Sequence, residues 1–236
     1  MSETVTLTVD GRPVTVPAGS TLREAAQAAG VHVPVLCWHP QVRTGSNCRV
    51  CVVEVAGNRT LVPSCSRQAE PGMEVRTDSE RVRRARRVVL ELLLSEADAS
   101  QAPELLAYAA HYGADPGRFG EITARKRREP IRDNPFFVRD YARCILCRRC
   151  TEVCGVGVQH TFAIEIAGRG NRAAIATGGT GLLPDSPCVF CGNCVGACPT
   201  GALVPVAEFE ARRDGIWPRE PALRWSPATG FVAEEV

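Results

Sequence analysis

The chain has 236 residues, 28 Lys and Arg against 26 Asp and Glu, a formal net charge of +2, and only 6% aromatic residues. That length holds one to two ordinary domains or three small ones, and a charge so evenly balanced gives no case for nucleic acid. The longest apolar run, Val88 to Leu94, is short and broken by Glu91, which excludes a direct membrane span. Met1 to Val5 shows neither the basic start nor the apolar stretch of a secretory leader, so the expected location is cytoplasmic.

Residues 1–78 read as a small β-rich domain. Val5, Leu7 and Val9 alternate, Asp10-Gly11 supplies a turn, and Val14 and Val16 alternate again, which predicts a hairpin. Ser20 or Thr21 caps a short helix ending at Ala29-Gly30, and strand signals follow at Val50–Val55, Leu61–Val62 and Met73–Val75. Residues 79–135 read as a helical linker. Thr77-x-x-Glu80 has the form of a capping box, and Val82, Ala85, Val89 and Leu92 predict one buried stripe. Pro103 opens a second helix that Gly113 closes after Tyr112, with a packing stripe at Leu105, Leu106, Tyr108 and Tyr112. Arg81, Arg83, Arg84, Arg86 and Arg87 form a basic run, as do Arg125 to Arg128; each reads as a solvated face or a docking patch for an acidic partner. Residues 136–207 hold two cysteine runs, and 208–236 reads as an extended, non-globular C-terminal tail.

All 12 cysteines fall into three groups of four. Cys37, Cys48, Cys51 and Cys65 read C-x10-C-x2-C-x13-C. Cys144, Cys147, Cys150 and Cys154 read C-x2-C-x2-C-x3-C, and so do Cys188, Cys191, Cys194 and Cys198, 44 residues further on and followed by Pro199. The repeated run is the pattern of a two-cluster bacterial-type ferredoxin, in which the fourth cysteine of each run ligates the other cluster. Cys144, Cys147, Cys150 and Cys198 are therefore expected to hold one [4Fe–4S] cluster, and Cys188, Cys191, Cys194 and Cys154 a second. The first group departs from the plant-type spacing in its ten-residue gap. Its C-x2-C core, β-rich setting and remote Cys65 still fit one [2Fe–2S] cluster. Gly45, Ser46 and Asn47 suit a backbone that must bend around sulfide and hydrogen-bond it. Zinc is the rival occupant, but structural zinc sites use pairs of C-x-x-C rather than repeated runs of four. With clusters bound, the loaded chain would carry a net charge of about −4.

These motifs, with Ala107-Tyr108…Tyr112-Gly113 and Ala197-Cys-Pro-Thr-Gly-Ala-Leu, resemble one family over about residues 3–207. It is the iron–sulfur, diaphorase-type subunit family shared by NAD-linked [NiFe]-hydrogenases, [FeFe]-hydrogenases, NAD-dependent formate dehydrogenases and the N-terminal region of the complex I 75-kDa-type subunit. The resemblance implies an α+β fold: a β-grasp [2Fe–2S] ferredoxin domain, a helical linker and a bacterial-type 2×[4Fe–4S] ferredoxin domain, the two ferredoxin units folding separately. It implies a non-catalytic electron-transfer subunit of a multisubunit NAD(P)-linked oxidoreductase. The partners would be a flavin/NAD(H)-binding subunit and a catalytic subunit of hydrogenase or formate dehydrogenase type. In length the chain is most similar to the stand-alone diaphorase subunit, which places the terminal active site on another chain.

One departure concerns the linker. The family's His-x3-Cys-x2-Cys-x5-Cys site would lie where this chain reads Ser95 to Glu104, with neither His nor Cys. Electrons must then cross directly from the [2Fe–2S] site to a cube, or travel through a partner. The expected remedy is a short helix junction that lets the β-grasp unit swing or pack closer to residues 136–207, with Arg81–Arg87 fixing its pose against a partner.

The alternative function is a free soluble ferredoxin-like electron carrier or redox-sensing module with no fixed catalytic partner. Gly168-x-Gly170-x-x-Ala173 has no room for a βαβ unit and reads as a turn rather than a dinucleotide site. His39 lies two residues past Cys37, but a Rieske centre needs two histidines, so it reads as packing beside the cluster. His32, His111 and His160 read as surface or satisfied residues, and no residue set suggests catalysis by this chain.

Overall fold

A computed structural model describes residues 3–120, 127–218 and 220–234. The start of the second basic run, Arg125 and Lys126, lies outside the described residues.

Alternating apolar residues build the N-terminal unit. β1 (Thr4–Val9) and β2 (Arg12–Pro17) form an antiparallel hairpin. Its turn, Asp10-Gly11, takes φ of 48° and 80°, the left-handed pair that a two-residue hairpin needs. α1 (Leu22–Ala28) starts at Thr21, whose hydroxyl accepts from Glu24 N–H while the Glu24 carboxylate accepts from Thr21 N–H. β3 (Val52–Val55), β4 (Val62–Pro63) and β5 (Glu74–Arg76) complete a five-stranded sheet in the order β2-β1-β5-β3-β4, with β1 and β5 parallel. Leu7, Val9, Leu22, Ala25, Val53 and Val75 are buried between this sheet and α1.

α2 (Glu80–Glu96) follows. Its cap is Ser79, which accepts from Val82 N–H at 3.3 Å; Thr77 instead donates backbone and hydroxyl hydrogens to Asp10 at 2.7 and 2.5 Å. The buried stripe also differs from the expected one. Val82, Arg86, Leu90, Leu93 and Leu94 face inward, whereas Leu92 is exposed. Arg86 tolerates burial because its guanidinium donates to Tyr112 Oη at 2.6 Å and to the Val52 carbonyl at 2.8 Å. Its neighbours in the basic run are also engaged within the chain. Arg81 pairs with Glu54, Arg83 with Asp78 and Arg84 with Glu80, while Arg87 donates to the Tyr112 carbonyl.

α3 (Pro103–Tyr112) begins on proline and ends at Gly113, which adopts φ 62° as a left-handed cap. Leu105, Tyr108 and Tyr112 are buried, but Leu106 is exposed. Between α2 and α3 the buried Ala97, Ala99 and Ala102 leave room for close approach of the next unit. Asp98 N–H donates to the Ala142 carbonyl at 2.9 Å, and Arg143 bridges Asp98 and Asp140 at 3.0 and 2.7 Å. The junction is thus docked rather than free to swing.

The second cysteine-bearing unit pairs β6 (Phe137–Arg139) antiparallel with β9 (Leu203–Pro205). Between them lie α4 (Arg149–Cys154), the hairpin β7 (Ile164–Ala167) and β8 (Ala174–Thr177), and α5 (Asn193–Ala197). Gly168, at φ 77°, starts the β7–β8 turn, so the glycine pattern there makes a hairpin.

The C-terminal segment is folded, contrary to the expected extended tail. α6 (Val206–Arg213) leads to the antiparallel hairpin β10 (Leu223–Ser226) and β11 (Gly230–Ala233), which packs on α3. Trp225 is 3% exposed and sits in an aromatic pocket of Tyr108, His111 and Tyr112. His32 N–H donates to the Pro227 carbonyl at 2.7 Å, tying the hairpin to the N-terminal unit. Leu223 and Phe231 pack against the same core, so the hairpin is held by several apolar side chains besides Trp225.

One core joins these parts. Leu36, Cys37, Cys48, Val50, Leu90, Leu105, Ile145, Cys147 and Trp225 belong to a single buried cluster. Each ferredoxin unit also has a core of its own, with Leu7, Val9 and Val53 in the first and Phe137, Ile164 and Leu203 in the second. Among the described residues no helix is long and apolar enough to cross a membrane.

Candidate iron–sulfur centres

The loop between α1 and β3 brings the first four thiols together. Cys51 Sγ lies 3.3 Å from Cys65 Sγ, and Cys37 is within hydrogen-bonding reach of both Cys48 and Cys65. Thr44 Oγ1 donates to Cys65 Sγ at 3.3 Å, and Ser46 Oγ lies 3.8 Å from the same sulfur. Ser46 and Arg49 take positive φ of 53° and 60°, the strained turns by which the backbone wraps the sulfurs. Four thiols so close cannot all keep protons comfortably. The hydrogen bond from Cys37 lowers Cys48 to about 7, and hydrogen bonds from Cys37 and Cys51 lower Cys65. Cys37 is raised, first by its hydrogen bond with Cys48, and Cys51, first by that with Cys65. Cys48 and Cys65 thus give up their protons readily, while Cys37 and Cys51 would do so only to a cationic metal core.

In the other unit the two repeats share a conformation. Leu146 and Phe190 both have φ 53°, and Arg148 and Gly192 have 68° and 77°. In this geometry Leu146 N–H donates to Cys144 Sγ and Phe190 N–H to Cys188 Sγ, each at 3.4 Å. α4 and α5 pack together, and each carries its run's fourth cysteine to the far cavity. Cys144, Cys147, Cys150 and Cys198 line one cavity, walled by Ile145, Ile175 and Leu203. Cys154, Cys188, Cys191 and Cys194 line another, with Phe137, Arg139 and Leu183. Ala163 N–H donates to Cys154 Sγ at 3.3 Å, and Thr161 Oγ1 lies 3.4 Å from it.

These donor sets fit a polynuclear core. Among the described residues no three His, Cys, Asp or Glu side chains close on a single ion as zinc requires. The thiols ring cavities instead. Burial pushes Cys147 and Cys194 each up to about 12 and raises Cys150 as well. A thiolate there needs a cationic core beside it, and a cluster supplies one.

The segments that carry the first and second thiol sets are hydrogen-bonded to each other. Asn47 Nδ2 donates to the Cys147 carbonyl at 3.3 Å, and Arg149 donates to the Leu36 carbonyl at 3.3 Å. Cys48 and Cys147, each the neighbour or bearer of one end of the Asn47 bridge, share the same buried core. His39 contributes nothing to the sulfurs; its Nδ1 accepts from Gln41 N–H at 3.3 Å, and burial, then Arg149, lowers its pKa.

Residues 2–80 match the 2Fe-2S iron-sulfur cluster binding domain family, and residues 143–202 the 4Fe-4S dicluster domain family. The chain is 38% identical over 212 residues to the NADP-reducing hydrogenase subunit HndD of Solidesulfovibrio fructosivorans, covering 85% of this chain and 36% of that one. It is 36% identical over 217 residues to the mitochondrial NADH-ubiquinone oxidoreductase 78 kDa subunit of Candida albicans, covering 88% and 29%. Its fold matches a chain in the crystal structure of an NAD+-reducing [NiFe]-hydrogenase in the H2-reduced state. The TM-score is 0.76 and the identity 31%, over 86% of this chain and 88% of that one. The chain belongs to the diaphorase-type iron–sulfur subunit family.

This chain has both the 2Fe–2S and the 4Fe–4S domain of that family. It spans about a quarter to a third of the length of the curated relatives it matches, 24% to 36%. Three features of the sites escaped the sequence reading. Thr44 stands just outside the small polar run that pointed to the loop. Arg143 has no local pattern that would mark it as the strut of the junction. The Asn47–Cys147 bridge joins residues 100 positions apart, a distance no motif spans.

Proposed function

We propose that this chain is the electron relay of a multisubunit NAD(P)-linked oxidoreductase of hydrogenase-diaphorase or formate dehydrogenase type. It carries electrons between a flavin/NAD(H)-binding subunit and a catalytic subunit. Cys37, Cys48, Cys51 and Cys65 hold one [2Fe–2S] cluster. Cys144, Cys147, Cys150 and Cys198 hold one [4Fe–4S] cluster, and Cys154, Cys188, Cys191 and Cys194 the other. The observation that carries the reading is the sorting of thiols into one close-packed set and two crossed, cavity-lining sets. When bound, the clusters supply one-electron chemistry. The chain's own residues supply thiolates, N–H and O–H donors to sulfur, and apolar walls that exclude water.

Metal content tests this. Anaerobically purified protein is expected to hold about ten irons and about ten acid-labile sulfides. About three zincs without labile sulfide would overturn the reading.

The Asn47 bridge makes the junction a direct crossing between the [2Fe–2S] site and the Cys144 set, in place of the linker cluster that Ser95–Glu104 lacks. Asn47→Ala removes one hydrogen bond between the two sets, at a cost of about 0.5–1.5 kcal/mol. It is expected to slow transfer between these two clusters and weaken their magnetic coupling without changing iron content. Unchanged transfer in freeze-quench spectra would show that electrons cross elsewhere.

A further inference from the structure

The two [4Fe–4S] cavities come from one repeated sequence element, yet their surroundings are not alike. β6 directs Phe137 and Arg139 from one face of the strand, and both line the cavity of Cys154, Cys188, Cys191 and Cys194. Arg139 is 1% exposed and ion-paired with Asp133, itself buried. Its second amino group also donates to the Gly181 carbonyl at 3.2 Å, but its Nε is buried and has no partner in the chain. Asp133 has two donors besides Arg139, Leu183 N–H at 2.7 Å and Asn134 Nδ2 at 3.1 Å.

No buried ion pair lines the other cavity among the described residues, although Arg148 Nε there is, like Arg139 Nε, buried without a partner. Its cation, Arg148, is in an exposed pair with Glu165. Tyr141 lines that other cavity, and its ring lies 5.9 Å from the Arg139 guanidinium, which puts the second cluster one side chain further from the pair.

We propose that the buried Arg139–Asp133 pair sets the reduction potential of the cluster held by Cys154, Cys188, Cys191 and Cys194, with the Arg139 Nε–H as a donor toward that cluster's sulfur. The inference rests on the ligand reading above. Each one-electron reduction adds one negative charge to the site and moves no proton. A buried guanidinium stabilises that charge and a buried carboxylate opposes it. A buried, orphaned N–H costs stability until it finds an acceptor, and a cluster sulfur at this wall supplies one. The balance of the two charges thus acts on one of two repeat-related sites, the one whose ligand Cys191 is exposed. Arg139 and Asp133 are positioning residues here and ligate nothing.

Potentiometric titration of the iron-loaded full chain, followed by paramagnetic resonance, tests the proposal. Cys191→Ser first assigns which [4Fe–4S] signal belongs to this site. Arg139→Gln leaves Asp133 unpaired beside the cluster and is expected to lower that potential by about 59 mV or more, a tenfold change in the one-electron equilibrium. Asp133→Asn keeps the cation and the side-chain shape, and is expected to raise the same potential. The double variant returns toward wild type, and the other [4Fe–4S] signal moves by less than half as much in each case. If Arg139→Gln fails to load, the upward shift in Asp133→Asn carries the test alone. Single variants that shift the potential in the same direction, or move both clusters equally, would overturn the proposal. If instead Cys191→Ser spares both [4Fe–4S] signals, the ligand reading fails first.

Discussion

Cys154→Ser is expected to remove the cluster whose other ligands are Cys188, Cys191 and Cys194, and to leave the cluster at Cys144 in place. Cys154 ends α4, the helix that follows the left-handed turn at Arg148, and that turn directs Cys150 to the nearer cavity with Cys144 and Cys147. Its own sulfur lines the farther one and accepts from Ala163 N–H at 3.3 Å. A serine oxygen keeps its proton far more strongly than a thiol and is a harder ligand, so it does not replace the thiolate toward iron. Iron content should fall by up to about four of about ten, and the surviving [4Fe–4S] spectrum should match that of Cys191→Ser. A spectrum matching Cys147→Ser instead would uncross the assignment. Because bound metal is folding energy, the variant should also melt lower than the wild type, with the deficit confined to metal-loaded protein.

How much of this was legible in the sequence depends on the range of the interaction. The Asp10-Gly11 hairpin, the Thr21 cap and the Pro103–Gly113 helix are each specified within one short stretch of sequence, and the structure has them where spacing and turn chemistry place them. The misread features depend on residues far away in the chain. Thr77 has the form of a cap but is captured by Asp10, 67 positions earlier, which leaves the capping to Ser79. Shifting the cap did not by itself move the stripe on α2. Arg86 joined the buried face because Tyr112 Oη and the Val52 carbonyl wait there, and a charged residue with distant partners defeats any apolar periodicity. The basic run could be read as a docking patch because its carboxylate partners, Glu54 and Asp78 among them, lie outside the helix that carries it.

Trp225→Ala is expected to cost about 3–5 kcal/mol of stability, the range for truncating a large aromatic side chain in a packed core. The indole is 3% exposed and meets Tyr108 edge-on at 5.2 Å and His111 edge-on at 4.8 Å between ring centroids. No nearby chain is free to collapse into the space. Tyr108 is fixed by a hydrogen bond from Val35 N–H at 3.2 Å, and Tyr112 by Arg86. The loss would pass beyond the hairpin, since Trp225 shares its core with Cys37, Cys48 and Cys147. Thermal melts should therefore show the hairpin and the [2Fe–2S] signal lost together at a lower temperature. Trp225→Phe keeps an aromatic ring in the pocket and should recover most of the difference. A Trp225→Ala protein that melted like the wild type would mean that the C-terminal hairpin is only laid on α3, and that the junction between the two cluster-bearing units stands without it.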